Sequence, residues 1–210
     1  VYFVLSAFLM YTIVTTDTYF YKKKVSFYLI AFCFFVSLTL IKNEGAALLL
    51  ILFFTSFLIK LYRGELGKNI FKLFFLSFSF LPIILWKFFC YFNEIGSEFI
   101  NMNILLNLLP RLVELSNYQL ISYFLFLNEK FYICLIFLLI SFWMKRNKEL
   151  FIFVSIVAIS YIFILFFIYL STPYDLYFQL NSTAARVVKS LSFLLAFFGL
   201  FNLNYHKIRY

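Results

Sequence analysis

Apolar runs of roughly bilayer-spanning length recur along this chain, and its Lys and Arg residues crowd into every second interruption between them. A spanning helix needs about 20 predominantly apolar residues. Runs of that kind read at 1–16, 25–41, 46–61, 70–92, 131–144, 150–170 and 187–203. One set of interruptions holds Lys22, Lys23 and Lys24, then Lys60, Arg63, Lys68 and Lys72, then Lys145, Arg146 and Lys148, then Lys207 and Arg209, against Asp17, Glu65 and Glu149. The other set holds Lys42, Lys87, Arg111, Lys130, Arg186 and Lys189, balanced by Glu44, Glu94, Glu98, Glu114, Glu129 and Asp175. Lys and Arg excess marks the cytoplasmic side of a membrane, so the first set is read as cytoplasmic and the second as outward-facing.

The hydrophobic share of 65% far exceeds the roughly 45–50% of soluble domains and excludes a water-soluble fold. The formal charge of +9 sits at segment ends, where it sets topology; no nucleic-acid partner is expected. Cys33, Cys90 and Cys134 lie in or at the ends of apolar runs, with no His or Cys at ligand spacing. The chain is already apolar at Val1 and shows no charged leader or cleavage site, so it reads as the C-terminal part of a longer protein. The fold expected is an all-α polytopic transmembrane helical bundle of about seven spans, a single domain over 1–210.

Segment 104–127 does not fit the spanning pattern, because Asn107, Pro110, Arg111, Glu114, Ser116, Asn117 and Gln119 interrupt it. A full span there would move the Lys145 and His206 clusters outside. It is read instead as part of a long outward loop, 93–130, carrying an amphipathic or re-entrant helix at the interface, with Pro110 at a helix start or kink.

Three outward places offer chemistry. Lys42-Asn43-Glu44-Gly45 puts an acid, an amide and a base at the membrane edge, where they can bind a phosphate or sugar hydroxyls; a plain hairpin turn with Lys42 and Glu44 neutralising each other explains the same residues. The stretch Tyr169–Arg186 joins polar and aromatic residues, with Asp175 placed to cap a helix running from Leu176 toward Arg186. There Tyr177 and Phe178 can stack on a sugar or isoprenoid and Arg186 can reach a phosphate; an interfacial connector with Arg186 snorkelling is the plainer account. Glu94, Glu98, Arg111 and Glu114 read as a solvated loop. His206, the lone histidine, lies in the cytoplasmic tail, and no Walker loop, nucleophile elbow or metal-ligand cluster is present.

Leu40-Ile41-Lys42-Asn43-Glu44-Gly45 resembles a Lys-Asn-Glu-Gly segment, and Tyr169 through Arg186 resembles a Thr-Pro-x-Asp-Leu…Arg segment, of bacterial polytopic proteins similar to GT-C superfamily glycosyltransferases. Those enzymes are of the protein O-mannosyltransferase and lipid A aminoarabinose transferase type. Lys42, Asn43, Glu44, Gly45, Thr172, Pro173, Asp175, Leu176, Leu180 and Arg186 match the pattern. Phe178 stands where Trp is usual, Gln179 where His is usual, and Ala185 where an Asp often precedes the Arg. The resemblance implies sugar transfer from a polyprenyl-phosphate donor to an unidentified acceptor, at the extracytoplasmic face of a bacterial inner membrane. It also implies a catalytic carboxylate in an earlier outer loop, upstream of Val1. Lys42, Asn43, Glu44, Asp175 and Arg186 become the substrate-binding residues. No organic cofactor is expected, and a divalent metal at the leaving phosphate stays open.

Two other classes compete. A transporter or flippase-like subunit needs ionisable or broken mid-span positions, and the interruptions read within span 70–92, Pro82, Lys72 and Lys87, include none that is central with a partner. A non-catalytic assembly protein needs only the loops.

Overall fold

Backbone amides and carbonyls without access to water must pair within their own segment, and the α-helix does this locally. The computed structural model describes residues 2–15, 25–41, 43–64, 73–93, 95, 104–127, 129–145, 147–172 and 174–208, with the backbone alone at 15, 25–26, 41, 43–44, 104–107, 145 and 204–208. Its regular structure there is all helical: α1 (Tyr2–Thr15), α2 (Val25–Ile41), α3 (Asn43–Tyr62), a 3-10 turn (Phe78–Phe80) leading into α4 (Leu81–Phe92), α5 (Ile104–Val113), α6 (Leu115–Phe126), α7 (Glu129–Lys145), α8 (Lys148–Ser171) and α9 (Leu176–Ile208).

Four helical stretches are long and apolar enough to cross a bilayer: Gly45–Tyr62, Leu73–Phe92, Lys148–Ser171 and Leu176–Leu203. A fifth arises if α6 and α7, bent by 72° at their junction, are one broken span. Tyr2–Val14 and Phe27–Leu40 are apolar but shorter. The chain is therefore an all-α helical bundle with the spans of a multi-pass membrane protein. Segment 104–127 is two helices that meet at Glu114, whose backbone is extended; Pro110 lies inside the first of them.

The chain divides into two compact units, Val1–Gly96 and Ser97–Tyr210. In the first, α1, α2 and α3 pack on one another. Leu49, Leu52, Phe35, Met10 and Tyr11 are among its fully buried side chains. The α2–α3 reversal is close: a Cβ on Gly45 would stand 1.8 Å from the Leu38 carbonyl oxygen. Gly45 is thus needed for helix contact, inside α3, rather than for an unusual turn conformation. At the other end of α3, Gly64 adopts φ 68° and its amide donates to the Leu61 oxygen at 3.0 Å, a left-handed helix stop. Arg63 Nη1 donates to the Val14 oxygen at 3.2 Å, capping the C-terminus of α1 with a cation.

In the second unit α9 is the central element, packed on α6, α7 and α8. Gly199 lets α7 approach closely, since a Cβ there would meet the Phe137 ring at 2.8 Å. One turn on, the buried Asn202 side chain donates to the Ser141 oxygen at 2.8 Å, an interhelical bond of the kind that joins apolar helices. The α8–α9 pair is antiparallel, fixed by Phe153 against Phe198 at 6.0 Å and by the Tyr161 hydroxyl donating to the Val187 oxygen at 3.2 Å.

Candidate functional site

One group of polar residues of the second unit, Thr172, Asp175, Gln179 and Thr183, gathers at the α8–α9 turn. α8 ends at Ser171, with Thr172 extended behind it. The Phe178 amide donates to Asp175 Oδ1 at 2.9 Å, which makes Asp175 the N-cap of α9. Thr172 Oγ1 donates to Gln179 Oε1 across the turn, and the Tyr174 amide donates to Thr172 Oγ1 at 3.4 Å. Thr183 Oγ1 donates to the Gln179 backbone oxygen at 2.7 Å, which leaves it to accept from the Tyr169 hydroxyl at 2.9 Å. Gln179 therefore closes this turn.

Sequence reasoning missed the residue that holds the turn from outside. Arg111, in α5, donates through Nη1 to the Thr172 oxygen at 2.7 Å and through Nη2 to the Tyr174 oxygen at 2.9 Å. Its fork satisfies carbonyls at a helix C-terminus with a full positive charge. The reading of Arg111 as part of a solvated loop is corrected here: Arg111 is half-buried and anchored, while Glu114 is exposed. Aromatic contacts add to the anchoring, with Phe124 on Tyr177 at 5.5 Å and Tyr118 on Phe166 at 6.4 Å. Nothing local in the sequence pairs Arg111 with a turn 61 residues away.

The second difference concerns Arg186 and Lys189. Composition starts the last span at 187 and puts both near the outer edge, but α9 runs unbroken from Leu176 through Ile208. Phe178, Ser182, Ala185, Lys189 and Phe193 lie along one exposed stripe of it, flanked by Asn181 and Arg186. Leu180, Ala184, Val187, Val188 and Leu191 form the buried side. Asp175 and Arg186 sit three turns apart on nearly the same face, about 16 Å along the axis. Arg186 leans toward the helix start and narrows that gap.

Of the other expected site residues, Lys42 lies outside the described residues, and Asn43 and Glu44 are described in backbone only, as the first residues of α3. Glu94 and Glu98 also fall outside. Among the described residues no three His, Cys, Asp or Glu side chains gather where they could hold a metal ion. A void of about 10 Å³ lies between Leu125, Phe131, Leu165, Val188 and Leu191, the room of one water molecule and too small for a substrate. Compared with family models, curated proteins and solved structures, the chain finds no match.

Proposed function

We propose that the protein is an integral-membrane glycosyltransferase of the GT-C type, moving a sugar from a polyprenyl-phosphate donor at the extracytoplasmic face of a bacterial inner membrane. The observation that carries this reading is the anchored turn, which presents Asp175 at the head of α9 and Arg186 three turns along the same face. A sugar phosphate with its lipid tail needs that order of groups: a carboxylate toward the sugar or acceptor, a cation for the departing phosphate, and apolar wall beyond. Lys42, Asn43 and Glu44 are assigned to the same donor by the motif resemblance alone, and the catalytic carboxylate to an earlier outer loop.

The test is transfer of radiolabelled sugar from lipid-linked donors by membranes containing the full-length protein. Arg186→Ala removes a charge-assisted contact of about 1.5–3 kcal/mol, so transfer is expected to fall by about ten- to a hundredfold. Wild-type turnover in that variant removes Arg186 from the site.

A transporter or flippase is the second reading, and one observation favours it: Arg186 and Lys189 lie within a helix long enough to span rather than beyond its end. Donor-independent movement of a labelled lipid across proteoliposomes, without sugar transfer, selects that reading.

A further inference from the structure

The depth of the α9 stripe follows from its neighbours. Tyr169 meets Thr183, Tyr161 meets Val187 and Phe153 meets Phe198. Those contacts set the level of every α9 residue against α8. Helix α8 has 24 residues and a length of about 36 Å, and its apolar run from Leu150 to Leu170 matches the hydrocarbon thickness of about 30 Å. With that run across the bilayer, Arg186 falls between the Tyr169 and Tyr161 levels. Lys189 falls just beyond Tyr161, beside Ser160 at the middle of the run.

Both cations are exposed, and neither has an ion-pair partner among the described residues. They stand one turn apart on one helix, where like charges repel. Snorkelling reaches about one helical turn (~5.4 Å), which is too short to bring a mid-bilayer ammonium to the interface. A bare cation at the bilayer centre costs about 2.5–3.5 kcal/mol on insertion scales. Gly199 beside Leu138 and Asn202 beside Ser141 hold α7 parallel to α9 in one register, and continuing it sets Glu129, the first residue of α7, level with Ser190. Above that level α6 takes the place of α7 on the same face of α9, with Phe124 on Tyr177 and Leu125 near Val188 and Leu191, and the stripe from Phe178 to Lys189, about a third of a turn round the helix, is covered by neither.

We infer that the exposed stripe of α9 from Phe178 to Lys189 is one wall of a water-filled recess that enters the outer half of the bilayer and ends near Lys189. The occupant is water. The inference rests on the membrane reading of the chain and is independent of sugar transfer, since a transporter would need the same recess.

The experiment uses intact membranes and a protein whose Cys33, Cys90 and Cys134 are replaced by Ala. Single variants Arg186→Cys, Lys189→Cys, Ile159→Cys and Phe163→Cys are exposed to a membrane-impermeant, sulfonate-bearing thiosulfonate from outside. Ile159 and Phe163 are exposed on α8 at the same depth. A thiol in hydrocarbon stays protonated and unreactive; each unit of pKa difference is tenfold in thiolate. Labelling at 186 and 189 is expected to be at least roughly tenfold faster than at 159 and 163. Equal, slow labelling at all four positions overturns the inference, as lipid or another protein segment then covers the stripe. The unmutated protein supplies a second reading: an impermeant amine-acylating reagent is expected to modify Lys189, scored by peptide mass spectrometry, and an unmodified Lys189 in a protein modified at Lys42 overturns the recess. Loss of transfer in Arg186→Ala with no labelling at 189 would retain the enzyme reading and reject the recess.

Discussion

Gly45 shows how much a single hydrogen atom can decide in a chain of bulky apolar residues. The α2–α3 reversal brings the Leu38 carbonyl oxygen to 1.8 Å from where a side chain at 45 would begin, so any other residue must push the two helices apart. Overpacking of this sort costs about 1–3 kcal/mol and occasionally more, and here the obstacle is backbone that cannot rotate away. Gly45→Ala is expected to lower the detergent-unfolding midpoint clearly. Gly199→Ala should have a smaller effect, because its obstacle is mainly the Phe137 ring, which can turn aside. Equal midpoints for wild type and Gly45→Ala would show that the helices do not approach as described. The glycine itself is plain in the sequence, but its role is not. After Lys-Asn-Glu it looks like a turn residue, whereas the carbonyl that excludes a methyl group belongs to another helix. By contrast Asp175 was legible as a cap, since a carboxylate ahead of an apolar helix needs only its own next turn to act on.

Between elements, Arg111 and the α8–α9 turn are coupled by two carbonyl contacts that only a planar fork can make together. Arg111→Ala removes both. Bonds to charged groups contribute about 1.5–3 kcal/mol, so local opening of the turn is expected to become about ten- to a hundredfold more frequent. Hydrogen exchange at the Phe178 and Gln179 amides reads this directly, because they bond to Asp175 at the head of α9. Arg111→Lys should fall between the two, retaining charge but reaching one carbonyl. Unchanged protection in the alanine variant would mean that the Thr172–Gln179 contact and the Asp175 cap hold the turn without help. Helix existence was legible at this scale from apolar run length; helix extent was not. A polar start, Asp175 through Arg186, and an apolar finish, 187–203, suggested two segments, yet the side chains of Leu180, Ala184 and Val187 continue one buried face through the junction. Periodicity across that boundary carried the signal, and the change in composition concealed it.

At the scale of the whole chain, helix direction and charge agree within each unit. In the first, Arg63 at the end of α3 reaches the last turn of α1, so α1 and α3 end on one side, as the Lys22–Lys24 and Lys60–Lys72 clusters require. In the second, α7 and α9 run parallel with α8 opposed, so the end of α7 at Lys145, the start of α8 at Lys148 and the last turn of α9 at Lys207 fall together. The connection between these patterns is the bent α6–α7 pair. The pair is one broken span, which crosses once, or a re-entrant loop, which returns to the side it left; α7 alone is too short to cross, since Glu129 starts it level with Ser190. Only the broken span makes one net crossing, and on that geometry the charge rule expects all four basic clusters in one compartment. Cysteines placed singly at Lys23, Glu114, Asn147 and Tyr174 in a cysteine-free background test this with an impermeant thiol reagent. Positions 114 and 174 are expected to react in intact cells, and 23 and 147 only after permeabilisation. The reverse pattern inverts the protein and takes Asp175 and Arg186 away from an extracytoplasmic donor. Reaction of 23 and 147 on opposite sides would require an even number of crossings between α4 and α8, and would select the re-entrant loop over the broken span.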